Sequence, residues 1–251
     1  MSYAIFQPCQ ELKNFISHFW AADWDIQTQD ANSTYFVTAN SLTEIAFGFA
    51  DNELLFSSVQ GQTDKHKQVP AGGFYQLFGV SLYSYAVPFL FHLPTLELNN
   101  LFVSPKTLLG NEGNILTEKI TLATTTQERI NILTDYFKSQ LKKQRFGDSL
   151  IANAVQHIRQ QKGNINVVDL SNDFCLSQKQ FERRFKANTG FNPKLYARIV
   201  RFETALNNRE NYINLTEVAH ATGYYDQAHF ISDFKAFAGY SPNKFFALSG
   251  Y

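Results

Sequence analysis

Only two of the 251 residues are cysteine, Cys9 and Cys175, and neither has a CxxC or Cys/His neighbour at ligand spacing. A disulfide framework and a thiolate zinc site are therefore not indicated. The six histidines (His18, His66, His92, His157, His220, His229) form no HxH or HxxxH pair. A metal-dependent cupin-type enzyme is accordingly disfavoured, and no cofactor is expected. The chain also lacks a GxSxG elbow, a Walker loop and a GxGxxG fingerprint, the backbone devices that aim a nucleophile or cradle a phosphate. No apolar run approaches the length of a membrane span, and the opening MSYAIFQPCQELKNF has no basic stretch leading into an apolar one. The expectation is a cytoplasmic, non-enzymatic protein with no membrane partner.

Net charge is absent too, with 22 Lys+Arg against 22 Asp+Glu. The balance hides an asymmetry. Through Gln144 there are 9 basic and 13 acidic residues (9 − 13 = −4), and from Arg145 onward 13 and 9 (13 − 9 = +4). A basic second half fits an acidic partner, although chance partition of surface charge would give a difference of this size as well. A hydrophobic fraction of 44% belongs to a folded chain, and the length suits one large or two ordinary domains.

What the sequence does contain is a duplication. Ser177 to Pro193, SQKQFERRFKANTGFNP, is repeated without a gap as Asp226 to Pro242, DQAHFISDFKAFAGYSP. Phe181 pairs with Phe230, Phe185 with Phe234, Gly190 with Gly239 and Pro193 with Pro242, at one offset (230 − 181 = 242 − 193 = 49). A period of this size marks tandem modules. Ser177 with Gln180 three residues on is a capping box, and Asp226 is an N-cap in the second copy. The paired phenylalanines, four apart, share one buried helical face. The glycines suit helix ends, and the prolines open the next helix. Short amphipathic segments precede each copy: Val167, Val168 and Leu170, then Leu215, Val218 and Ala219. Helix, tight turn, helix is the unit that enters a DNA groove.

This pattern closely resembles the AraC/XylS family of transcriptional regulators, whose DNA-binding domain is two helix-turn-helix units joined by a long helix. The resemblance covers about the last 105 residues. The joining helix is expected from Pro193 to about Arg209, burying Leu195, Ile199, Phe202 and Leu206, and a last helix from Pro242 to about Leu248. With Phe181 and Phe185 inward, Lys179, Glu182, Arg183 and Lys186 must face outward. The resemblance makes Lys179, Glu182 and Arg183 base readers, with Arg183 suited to guanine and Glu182 to cytosine. The second copy departs from the family, presenting Ala228, Ile231, Ser232 and Lys235, with Ser232 where arginine is frequent. That face suits thymine methyls, with Gln227 near for adenine. Arg198 and Arg201 resemble phosphate-contacting positions, as do Lys186 and Lys235; the other reading of the two arginines is ion pairs with Glu203 or Glu210. His229 resembles a position packed inside the unit. The implied partners are double-stranded DNA, a small-molecule effector, a second copy of the chain and RNA polymerase.

The first half reads as strand and then helix. Phe15 to Ala22 and Ile45 to Phe49 alternate with period two, Asp51-Asn52 suggests a hairpin into Leu54-Leu55-Phe56, and Phe74 to Leu82 is a further strand. Tyr85 to Asn100 suggests a short helix, a break at Pro94 and another helical turn. It resembles the effector-type domain of one subgroup of the family. Ile130, Leu133, Phe137 and Leu141 lie on one face of a helix from Thr126. Trp20, Trp24 and Tyr75 are either core or pocket lining.

The expected fold is an α+β N-terminal domain, a small antiparallel sheet or partial barrel plus helices, over 1–141. A linker, 142–149, leads to an all-α domain with two helix-turn-helix units over 150–251. The function expected is a sequence-specific regulator that answers a signal at its first domain. Two alternatives stay open: a DNA-binding scaffold with a degenerate second reader, and an enzyme carrying an AraC-like module, for which the cysteine cluster of the repair methyltransferases is missing.

Overall fold

The computed structural model describes residues 2–23, 34–70, 76–143, 148–208 and 214–249. Its strands are β1 (Ser2–Phe6), β2 (Ile16–Asp23), β3 (Thr34–Val37), β4 (Leu42–Ala50), β5 (Glu53–Gln60), β6 (Lys67–Pro70), β7 (Gln76–Tyr83) and β8 (Phe102–Val103). Its helices are α1 (Ala86–Phe91), α2 (Pro105–Leu109), α3 (Asn111–Leu122), α4 (Thr126–Lys142), α5 (Ser149–Gln160), α6 (Val167–Asp173), α7 (Gln178–Thr189), α8 (Pro193–Asn207), α9 (Leu215–Ala221), α10 (Gln227–Ala238) and α11 (Pro242–Ser249). The chain forms two compact units, one of Met1–Thr34, Leu42–Gln62 and Pro70–Gly147, the other of Tyr35–Ser41, Thr63–Val69 and Asp148–Tyr251. Trp24, Phe74, Tyr75, Arg209, Glu210 and the linker residues 144–147 lie outside the described residues.

The first unit is an α+β structure around an antiparallel sheet of order β1-β2-β7-β4-β5-β8. The β4–β5 hairpin turns on Asp51 and Asn52, both left-handed (φ 49° and 66°), with Ala50 paired to Glu53. Two consecutive positive φ values give a turn whose twist matches the strands, and Asp and Asn tolerate them. One sheet face carries Phe19, Ile45, Phe47, Phe78, Val80 and Leu82, packed with Leu116, Ile120, Ile130, Leu133 and Phe137 of α3 and α4. The other face holds a smaller cluster of Trp20, Ala22 and Leu77 against Ala46 and Phe56. Between these lies Gly79, where a Cβ would come within 2.5 Å of the Trp20 ring. Apolar groups on both faces explain why β7 reads as a nearly continuous apolar run rather than an alternating one.

A short helix, α1, precedes Pro94 and a single 3-10 turn, Thr95–Leu98, follows it. The capping box of α4 is Thr125 and Glu128. Its inner face includes an unexpected charge. Arg129 is 6% exposed, donating from Nη2 to the Ala123 carbonyl at 3.2 Å with its guanidinium carbon 3.8 Å from the centre of the Phe49 ring. Burial pulls its pKa down.

In the second unit α8 is the central beam. It buries Pro193, Tyr196, Ala197, Ile199, Val200, Phe202 and Ala205, more than one stripe, while Leu195 and Leu206 are only half-buried. Both readers use it. Tyr196 meets Phe185 of α7 edge-on at 5.4 Å, and Phe202 meets Phe234 and Phe237 of α10 at 5.2 and 5.5 Å. The end of α5 approaches α8 so closely that a Cβ on Gly163 (φ 77°) would fall 2.2 Å from the Ala197 carbonyl oxygen.

Candidate nucleic-acid interface

Each reader begins with a capped first helix. Asn166 accepts from the Val168 amide at 2.8 Å to start α6, and Asn214 accepts from the Glu217 amide at 2.9 Å to start α9. Both turns then reverse through a left-handed residue, Cys175 (φ 54°) and Gly223 (φ 79°). The next amide returns to the first helix, Leu176 to Ser171 at 3.1 Å and Tyr224 to Ala219 at 2.9 Å. The second helices are capped as the sequence predicts, α7 by the Ser177/Gln180 box and α10 by Asp226, and both end on left-handed glycines, Gly190 (φ 82°) and Gly239 (φ 81°).

The two turns are not the same length. The first helices and left-handed residues stand 48 apart (214 − 166, 223 − 175), but the caps of the second helices stand 49 apart (226 − 177). The extra residue is Tyr225, which is 87% exposed.

Phe181 and Phe185 are fully buried, and so is Phe234, with Phe230 at 1%. The opposite side of α7 carries Lys179, Arg183 and Lys186, all exposed and spaced so that they form one stripe about 100–160° from the buried phenylalanines. None of the three makes an ion pair among the described residues. Glu182 is half-buried and accepts from Gln178 Nε2 at 2.8 Å. The corresponding side of α10 presents Ala228, Ser232 and Lys235, with Ile231 half-buried. Gln227 is exposed, and its Oε1 accepts from the Thr216 hydroxyl at 2.8 Å. One face thus has three cations, the other one.

The arginines of α8 are engaged inside the unit. Arg198 Nη2 lies 2.7 Å from Asp233 Oδ1 and its Nε 3.4 Å from Oδ2, with the guanidinium carbon 5.3 Å from the Phe237 ring centre. Asp233 is only 3% exposed, and its hydrogen bond holds the Arg198 pKa above the ordinary arginine value. Arg201 donates to the Gly163 carbonyl at 3.0 Å and lies 5.3 Å from the Tyr224 ring. Tyr224 is pushed up by burial. Glu203, one partner weighed for these arginines, pairs instead with Arg159 at 3.2 Å. His229, expected inside, has a side chain 43% exposed, 3.9 Å from Asp233 and edge-on to Tyr224. One residue before Phe230, it sits about 100° round the helix from the buried phenylalanine and so at the edge of the inner face.

Residues 170–247 match a helix-turn-helix domain family, and residues 4–104 match a domain of unknown function, DUF6597. The first of these matches spans both copies of the duplicated unit. The C-terminal unit carries an AraC-type helix-turn-helix domain. The crystal structure of ToxT from Vibrio cholerae O395 shares the fold of this chain, with a TM-score of 0.50 at 12% identity over 93% of this chain and 99% of that one. Wild-type ToxT from Vibrio cholerae strain SCE256, bound to an unsaturated fatty acid, gives 0.49 at 13% identity over 93% and 96%. The xylose-binding transcription activator XylR gives 0.34 at 19% over 47% and 38%. Among curated proteins none matches the sequence. No helix among the described residues is long and apolar enough to cross a membrane.

Proposed function

We propose that this chain is an AraC-family transcriptional regulator that recognises a DNA sequence through α7 and α10, with α7 supplying most of the discrimination. The observation that carries this is the open stripe of Lys179, Arg183 and Lys186, held outward by the buried Phe181 and Phe185 and capped by Ser177. Arg183 would take guanine O6 and N7, Glu182 would accept from cytosine N4, and Lys179 would reach a neighbouring base. On α10, Ala228 and Ile231 suit thymine methyls, Gln227 an adenine edge and Ser232 either base type. Lys186 and Lys235 would hold phosphates. Arg198, with donors beyond those spent on Asp233, would add a phosphate contact. Arg201 is a weaker candidate, because its Nη2 already serves Gly163.

Selection of sites from random DNA by the purified chain, followed by Arg183→Ala and Ser232→Ala, tests the ranking. Arg183→Ala is expected to cost about 1–3 kcal/mol of discrimination at one base pair, and Ser232→Ala less. A larger loss for Ser232→Ala reverses the assignment, and binding independent of sequence would favour the scaffold reading. In the same proposal the first unit receives a small-molecule signal and the regulator works as a dimer. A ligand thermal-shift screen and light scattering on the full chain test these two points.

A further inference from the structure

The DNA-reading unit contains two segments that lie far from it in sequence, residues 35–41 and 63–69. They form a ribbon in which β3 pairs with β6 and Asn40 and Thr63 exchange backbone hydrogen bonds at 2.8 and 2.9 Å. Its contacts fall on the second reader and the beam behind it. The Ala39 amide donates to the Phe237 carbonyl at 3.0 Å, one of the carbonyls that the last turn of α10 leaves without a helical partner. The His66 ring roofs the C-cap of α10, where a Cβ on Gly239 would come within 2.4 Å of it. Gln68 Nε2 donates to the Tyr240 hydroxyl at 2.5 Å. Phe36 meets Tyr240 and Phe245 edge-on, at 6.1 and 5.8 Å.

At the other end of the ribbon Ser41 enters the ion pair between α5 and α8. Its amide and hydroxyl donate to Glu203 at 2.5 and 3.1 Å, and Arg159 Nη1 donates to its Oγ at 2.9 Å. Ser41 is fully buried, so the carboxylate and the guanidinium are both partly satisfied through it.

We infer that the ribbon is a positioning element for the second reader: it fixes the last turn of α10 against α8 and α11 before DNA arrives. This rests on the DNA-reading proposal above and extends it. The chemistry of α10 supplies a reason. A face with one cation and mostly small or apolar groups has little binding energy to spend on ordering itself, so its contribution depends on being held in place beforehand.

The test uses the full chain with Gln68→Ala, which removes one exposed contact, and with the more disruptive Phe36→Ala. Amide exchange and hydroxyl-radical footprinting on a selected site are read together. The expected result is faster exchange at Ala238, Gly239 and Tyr240 with α7 unchanged, an affinity loss of about tenfold, on the scale of ordering one or two side chains, and protection lost over the α10 half-site alone. Variants that melt earlier, yet keep α10 exchange, both half-sites and an affinity within about twofold, overturn the inference and leave the ribbon as mere packing. If the unmodified chain selects no site, the DNA-reading proposal falls, while the exchange comparison still decides whether the ribbon holds α10.

Discussion

Arg198→Ala should unfold the second reader before it does anything specific to DNA. The substitution leaves the Asp233 carboxylate 3% exposed on the inner side of α10 with its 2.7 Å partner gone. Removing one member of a buried pair costs about 3–5 kcal/mol. The Arg198 side chain is 40% exposed, so water can enter where it stood, and about 2–3 kcal/mol is the better expectation. For a unit of this size that is a fall of roughly 10–15 °C in Tm. The assay is a double-mutant cycle by thermal and urea unfolding with Arg198→Met, Asp233→Leu and both together. The double variant should recover most of the loss, because apolar groups of similar volume can replace a buried pair at little cost. If Arg198→Ala unfolds within about 0.5 kcal/mol of the parent, the pinning role assigned to Arg198 is wrong, and a uniform fall in DNA affinity across sequences would leave it with the phosphate contact alone.

Further outcomes can be checked at three residues, Gly163, Gly223 and Glu128. Gly163→Ala combines a left-handed φ with a backbone collision 2.2 Å from the Ala197 carbonyl and should destabilise the second unit by about 2–4 kcal/mol. Gly223→Ala should cost only about 1 kcal/mol, since the nearest atoms there belong to the Asn164 side chain at 3.3 Å and Cys175 already adopts the same conformation in the first copy; equal losses in urea titrations would contradict this. The Glu128 carboxyl is held below the usual carboxylate range by the amides of Thr124 and Thr125. Its folded pKa is the lower one, so its support for the start of α4 is present at neutral pH and disappears as the pH falls below about 4. Protection of the amides in the first turn of α4, measured relative to the intrinsic exchange rate at each pH, should therefore fall in acid, and Glu128→Ala should flatten that dependence.

The sequence announced the elements whose signals are local. The caps, glycines and prolines of both readers, the Asp51-Asn52 turn and the α4 face each depend on residues a few positions apart, so pattern alone reached them. Elements that depend on distant partners stayed hidden. The ribbon strands are four residues each, too short for a period to register, and Ser41 gives no sign that Glu203 awaits it. Strand β1 and helices α2 and α3 escaped for a similar reason, few of their residues being buried. Asp233 did carry a signal. A carboxylate beside Phe234, on the inner side of an otherwise apolar helix, requires a cation, and Arg198 on the joining helix was the candidate to test. The extra residue Tyr225 was legible as well, once Asn166 is matched with Asn214 instead of only Ser177 with Asp226.

The ribbon also sets where this protein can be cut. The expected linker would place the junction for a foreign sensor near Lys143. A hybrid built that way would leave behind both strands that brace α10, along with the serine seated between Arg159 and Glu203. If α7 and α10 read DNA as proposed, it would recognise the half-site addressed by α7 better than the half-site addressed by α10. Grafting residues 35–41 and 63–69 along with the helices should restore the missing half, which makes the exchangeable module of this chain a discontinuous one.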